Sequence, residues 1–75
     1  MQENLQAIYD GVISGDATMV EVQVQEALDA GVSARSILDD ALVTAMAQVG
    51  AYFEEGTYFV PEMLVAARAM KAGLT

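Results

Sequence analysis

Two acidic pairs, Asp39-Asp40 and Glu54-Glu55, are the residues of this chain whose types best suit acid–base work or the binding of calcium or magnesium. Neighbouring residues on a helix point about 100° apart, so neither pair converges on one point, and a solvated helix face accounts for both. Ser14, Ser33 and Ser36 have no histidine anywhere in the chain to accept a proton, which removes a Ser-His-Asp arrangement. The absence of cysteine and histidine also removes the usual ligands of zinc, iron and copper, and every disulfide staple. The glycines are dispersed and spell no phosphate-binding loop. Covalent and metal-assisted chemistry thus find no support, and the informative feature is an apolar one.

Four of the five aromatic residues, Tyr52, Phe53, Tyr58 and Phe59, fall between positions 52 and 59, divided by Gly56 and followed by Pro61, the only proline. One face of one helix cannot bury all four rings. They either plug the open end of a helical domain or present a surface that something else covers. Met19, Met46 and Met70 fall where helical stripes put core residues, whereas Met63, beside the aromatic turn, suits a core or a surface role equally.

The elements that must position this turn are legible from periodicity. Leu5, Ile8, Tyr9 and Val12 share one side of a first helix that ends near Ser14-Gly15. Asp16 is an N-cap for a second, with Val20, Val24, Ala27 and Leu28 as its stripe and Gly31 as its terminator. Val20-Glu21-Val22-Gln23-Val24 alternates like a strand, but the cap before it, the helix formers after it and the lack of any partner strand favour helix. Ser33 caps a third and longest helix, along which Leu38, Ala41, Leu42, Ala45, Met46, Val49 and Phe53 form the expected stripe. Gly50 inside it costs about 1 kcal/mol against alanine, which suggests that a backbone or ligand comes close there. Gly56 ends that helix, and Pro61 fits the first position of a fourth, with Val60, Met63, Leu64, Ala67 and Met70 as its stripe. The expected fold is all-α, an up-and-down antiparallel four-helix bundle.

A chain of 75 residues makes one domain with a thin stability margin, and burial against another domain or a second copy is the expected remedy. The net charge is −8, and residues 1–31 carry Glu3, Asp10, Asp16, Glu21, Glu26 and Asp29 with no basic residue. Arg35, Arg68 and Lys71 are too few and too scattered for a phosphate-binding patch, which excludes nucleic acid. Charges break every apolar run before about 18 residues, so no membrane span is expected, nor is a secretory signal visible. A cytoplasmic location is the expectation.

The segment Val49-Gly50-Ala51-Tyr52-Phe53-Glu54-Glu55-Gly56-Thr57-Tyr58-Phe59-Val60-Pro61-Glu62-Met63-Leu64, followed by Ala66-Ala67-Arg68-Ala69-Met70-Lys71, resembles the N-terminal helical cap domain of corrinoid (cobalamin-binding) methyltransferase proteins. These are methyl shuttles of anaerobic methyltransferase systems, and the cap module of cobalamin-dependent methionine synthase is similar. The similarity reaches back through Glu26-Ala27-Leu28-Asp29-Ala30-Gly31 and Ile37-Leu38 and covers nearly the whole chain. One departure is Ala51, where the family commonly has an acidic residue.

The resemblance implies a single helical cap domain over residues 1–75, lying on the methyl-bearing upper face of the corrin. By position, Phe53, Val60 and Met63 match the residues that shield the cobalt–methyl bond. Gly50 and Gly56 would allow close approach or the turn itself. The cobalt-ligating histidine and the Asp-x-His-x-x-Gly motif belong to a corrin-binding α/β domain that these residues do not include. The cofactor implied is cobalamin, and the partners are that α/β domain and methyltransferase subunits. The domain by itself is not expected to be an enzyme. The alternative, from a different class, is a helical interaction or oligomerisation module using the aromatic turn 52–63, and a homodimer is possible in either case.

Overall fold

The computed structural model describes residues 3–74, so Met1, Gln2 and Thr75 lie outside the described residues. The described residues form four helices and no strand: α1 (Glu3–Ser14), α2 (Ala17–Asp29), α3 (residues 34–55) and α4 (Val60–Leu74). The strand-like alternation of Val20, Val22 and Val24 is overridden, because the residues lie within α2, where Val20 is fully buried and Val22 is exposed.

Local signals set the helix ends. Asp16 accepts a hydrogen bond from the Met19 N–H at 3.0 Å, and Ser33 accepts one from the Ser36 N–H at 3.1 Å, each satisfying a donor that the first helical turn leaves over. Ser33→Ala is expected to cost about 1 kcal/mol of unfolding free energy in a urea titration. No loss would mean that Ser33 does not cap α3.

The third helix departs from the expected uninterrupted α-helix. It runs as α over Ala34–Ser36, as a π-helix over Ile37–Leu42 and as α again over Val43–Glu55. The Val43 N–H bonds the Leu38 carbonyl, a five-residue reach, and the Thr44 hydroxyl donates to the carbonyls of Asp40 at 2.7 Å and Ala41 at 3.2 Å. The wide turn adds a residue and rotates what precedes it by about 100°, so Ile37, and not Leu38, enters the core. Leu38 is half-buried against it.

The core joins Leu5, Ile8 and Val12 of α1, Val20 and Ala27 of α2, Ile37, Ala41, Leu42, Ala45 and Val49 of α3, and Ala66 and Ala69 of α4. α1 packs against each of the other three helices, while α2 packs against α1 and α4. Three expected stripes need correction: on α2, Leu28 is exposed while Val20 and Ala27 are buried. Phe53 leaves the α3 stripe and is 44% exposed. On α4, Val60, Leu64 and Ala67 face outward, and Ala66 and Ala69 are buried with Met63 and Met70 packed alongside. Alanines let α4 approach its neighbours closely, which bulkier side chains at the same positions would prevent. Met46 also packs against the core, and Met19 is half-buried.

Candidate functional site

The end of α3, the 56–59 turn and the start of α4 form the site-bearing corner. The Gly56 N–H bonds the Phe53 carbonyl at 3.1 Å, and the left-handed conformation of Gly56 (φ 83°) turns the following chain back over the helix end. The N–H groups of Thr57 and Tyr58 both bond the Tyr52 carbonyl, at 2.9 and 3.0 Å. On the other side, the Phe59 N–H donates to Glu62 Oε1 at 2.7 Å, and the Met63 N–H to the Phe59 carbonyl at 3.2 Å. This is half of a capping box, with the glutamate closing the helix start that Phe59 has no side-chain oxygen to cap. Pro61 is the second residue of α4, one place later than expected, still within the first turn where its missing N–H is not needed.

The four rings divide by type. Tyr52 and Tyr58 turn towards the protein, both half-buried, with ring centroids 5.0 Å apart and planes tilted by 47°. The Tyr58 hydroxyl donates to the Ile13 carbonyl of α1 at 2.9 Å. Phe53 and Phe59 turn outward, and Phe59 is 64% exposed. Val60 (56%) and Leu64 (64%), four apart on α4 and therefore on one face, are exposed as well. The tyrosines thus serve as scaffold and the phenylalanines as surface.

Of the residues expected to face a cofactor, Phe53 and Val60 are exposed on the two helix ends that this hydrogen-bonded turn joins. Met63, one turn into α4, is half-buried against the core, which settles its ambiguity in favour of a largely packed side chain. Phe59 and Leu64 are exposed too, although the sequence placed Leu64, with Val60, on the apolar stripe expected to pack inward. The i, i+4 spacing of Val60 and Leu64 was the available signal, hidden because α4 is apolar on nearly every side. No atom of the chain lies within 4 Å of the place a Gly50 Cβ would occupy, so the close approach expected there is not made within this domain.

The exposed apolar residues carry no charge, while Glu54, Glu55 and Glu62 lie beside them in the sequence. Among the described residues no group of three His, Cys, Asp or Glu side chains could hold a metal ion. Asp39 instead pairs with Arg35 at 2.9 Å on the surface, the kind of exposed pair that adds little stability. The corner therefore presents Phe53, Phe59, Val60 and Leu64 among exposed glutamates.

The described residues thus form a small helical domain with Phe53, Phe59, Val60 and Leu64 exposed at one aromatic-rich corner. Residues 5–75 match the family described as the B12 binding domain. The chain belongs to that family and is a helical cap domain of the corrinoid-protein type. It is 40% identical to trimethylamine corrinoid protein 2 of Methanosarcina acetivorans over 65 residues, which is 87% of this chain and 30% of that protein. It is 34% identical to dimethylamine corrinoid protein 2 of Methanosarcina mazei over 97% of this chain and 34% of the relative. A corrinoid protein of Desulfitobacterium hafniense is 31% identical over 93% of this chain and 32% of its own length. The chain thus spans about a third of the length of these relatives. No solved structure matches it. Among the described residues no helix is long and apolar enough to cross a membrane.

Proposed function

We propose that this domain covers the methyl-bearing upper face of cobalamin during methyl transfer between partner methyltransferases, with Phe53, Val60 and Met63 as the residues nearest the cofactor. The observation that carries this reading is the uncharged surface of Phe53, Phe59, Val60 and Leu64 held out on a rigidly bonded turn. The relatives named as trimethylamine and dimethylamine corrinoid proteins support it.

When bound, the corrinoid supplies the cobalt that carries the methyl group. The chain's own residues exclude water: Phe53 and Val60 lay hydrocarbon over the reactive face, and Met63 backs them from the core edge. With no histidine here, a cobalt-ligating histidine would have to come from a corrin-binding α/β domain. The domain has no catalytic residue of its own in this reading and acts by gating, swinging aside as a rigid body when a methyltransferase docks. The Tyr58–Ile13 bond, which places the start of α4 beside the end of α1, supports alternating helix directions in an up-and-down antiparallel bundle. A cytoplasmic location suits partners of this kind.

Phe53→Ala, in the protein together with its corrin-binding domain, should raise the rates of photolysis and oxidation of the bound cofactor. The expected factor is roughly five- to thirtyfold, equivalent to ~1–2 kcal/mol of lost cover. Unchanged rates would sink the shielding role. Phe59 and Leu64, exposed beyond the three residues assigned to the corrin, favour one second reading, in which the bare corner forms a symmetric homodimer or another protein contact.

A further inference from the structure

We propose that Tyr58 is the positioning residue of the apolar corner: its hydroxyl, held on the Ile13 carbonyl, sets the aim of Phe59 and Val60 and so ties the cover to the corner between α1 and α2. The inference rests on the covering role proposed above. The bond joins residues 45 apart in sequence. Among the described residues the other side-chain hydrogen bonds given above or formed on single helices join positions three or four apart, such as Gln6 to Asp10 and Gln25 to Asp29. Local bonds of that kind shape one helix or turn, and Tyr58 alone among them connects distant elements.

Its acceptor is one that the end of α1 leaves over. The last carbonyls of a helix lack partners within it. Here the Gly11 carbonyl takes the Asp16 N–H at 2.8 Å and the Val12 carbonyl takes the Gly15 N–H at 3.1 Å, which leaves the Ile13 carbonyl to the phenol. Tyr58 is also held by its own N–H on the Tyr52 carbonyl and by its ring against Tyr52. Three attachments therefore fix the residue immediately before Phe59. A cleft of about 230 Å³ beside it, lined by Ile13, Ser14, Tyr58, Pro61, Glu62 and Val65, leaves space into which the corner can relax once the hydroxyl is gone.

Tyr58→Phe keeps the ring and removes only the hydroxyl. Two readouts on three variants test the assignment. The first is amide hydrogen exchange at residues 57–59 of the chain without cofactor; the second is light-driven loss of the methyl group from the protein carrying its corrin-binding domain. Tyr58→Phe should speed exchange at residues 57–59 about fivefold, the factor a single net hydrogen bond represents, and accelerate photolysis in the same direction. Ser33→Ala, a cap loss of similar size at the start of α3, should do neither. If Tyr58→Phe behaves like Ser33→Ala in both readouts, Tyr58 is an ordinary stabilising residue and the proposal is wrong. If Phe53→Ala accelerates photolysis and Tyr58→Phe does not, the covering role stands and the positioning role falls. If neither does, both fall together.

Discussion

Ile8→Ala should lower the unfolding free energy by roughly 2–5 kcal/mol. Ile8 is fully buried in α1, the helix that packs against all three others, so truncation opens a cavity that no single neighbour can fill by shifting. A domain of this size has on the order of 4–11 kcal/mol in total, and the loss takes a large part of it. In a urea titration the midpoint should fall with little change in slope, as the same surface is exposed on unfolding. A loss below about 1 kcal/mol would contradict the central place of α1. The comparison with Phe53→Ala is informative, because Phe53 is 44% exposed and outside the core. Its truncation should cost little stability while altering cofactor cover, so the two variants separate folding from function.

The second large effect is expected from Gly15→Ala. Gly15 has φ 74°, a conformation that costs an alanine about 1–2 kcal/mol, and an added Cβ would collide with the Val65 side chain of α4. Relieving the collision requires α4 to move off the α1–α2 corner, adding roughly 1–3 kcal/mol. The combined loss is therefore similar in size to that of Ile8→Ala but reached by overpacking. Because Val65 lies shortly after Val60 on α4, the displacement also carries the apolar corner with it. Thermal unfolding and photolysis of the bound cofactor should both change in Gly15→Ala. A variant as stable as the native chain would show that the corner yields without cost, and would remove the steric half of this account.

The aromatic corner could be located from the order of residues alone. Gly56 between two aromatic pairs and Pro61 just beyond required a helix end and a helix start, and the structure places both there. Which rings would stand outward was not legible. Tyrosine and phenylalanine are alike in a periodicity argument, whereas in the structure the Tyr58 hydroxyl bonds the Ile13 carbonyl of α1 and the Tyr52 ring packs on Tyr58. The same limit applies to Gly50, whose cost in the helix suggested a close neighbour that the domain does not supply.

By itself, the sequence determined the all-helical class, the number of helices and their ends, except that α4 starts one residue before the expected Pro61. Those features depend on hydrogen bonds between residues three apart: Asp16 and Ser33 side chains to the Met19 and Ser36 N–H groups, and the Gly56 N–H to the Phe53 carbonyl. The tertiary structure decided where burial departs from the apolar stripes, which Leu5, Ile8, Val12, Val20, Ala27, Ala41, Leu42, Ala45 and Val49 follow. A π turn brings Ile37 inward in place of Leu38, and α4 turns Ala66 and Ala69 to the core and Val60 and Leu64 to the surface. Hydrophobicity cannot choose between two apolar faces of one helix. Packing chooses, because close helix contact selects for small side chains, and the larger ones are left on the surface.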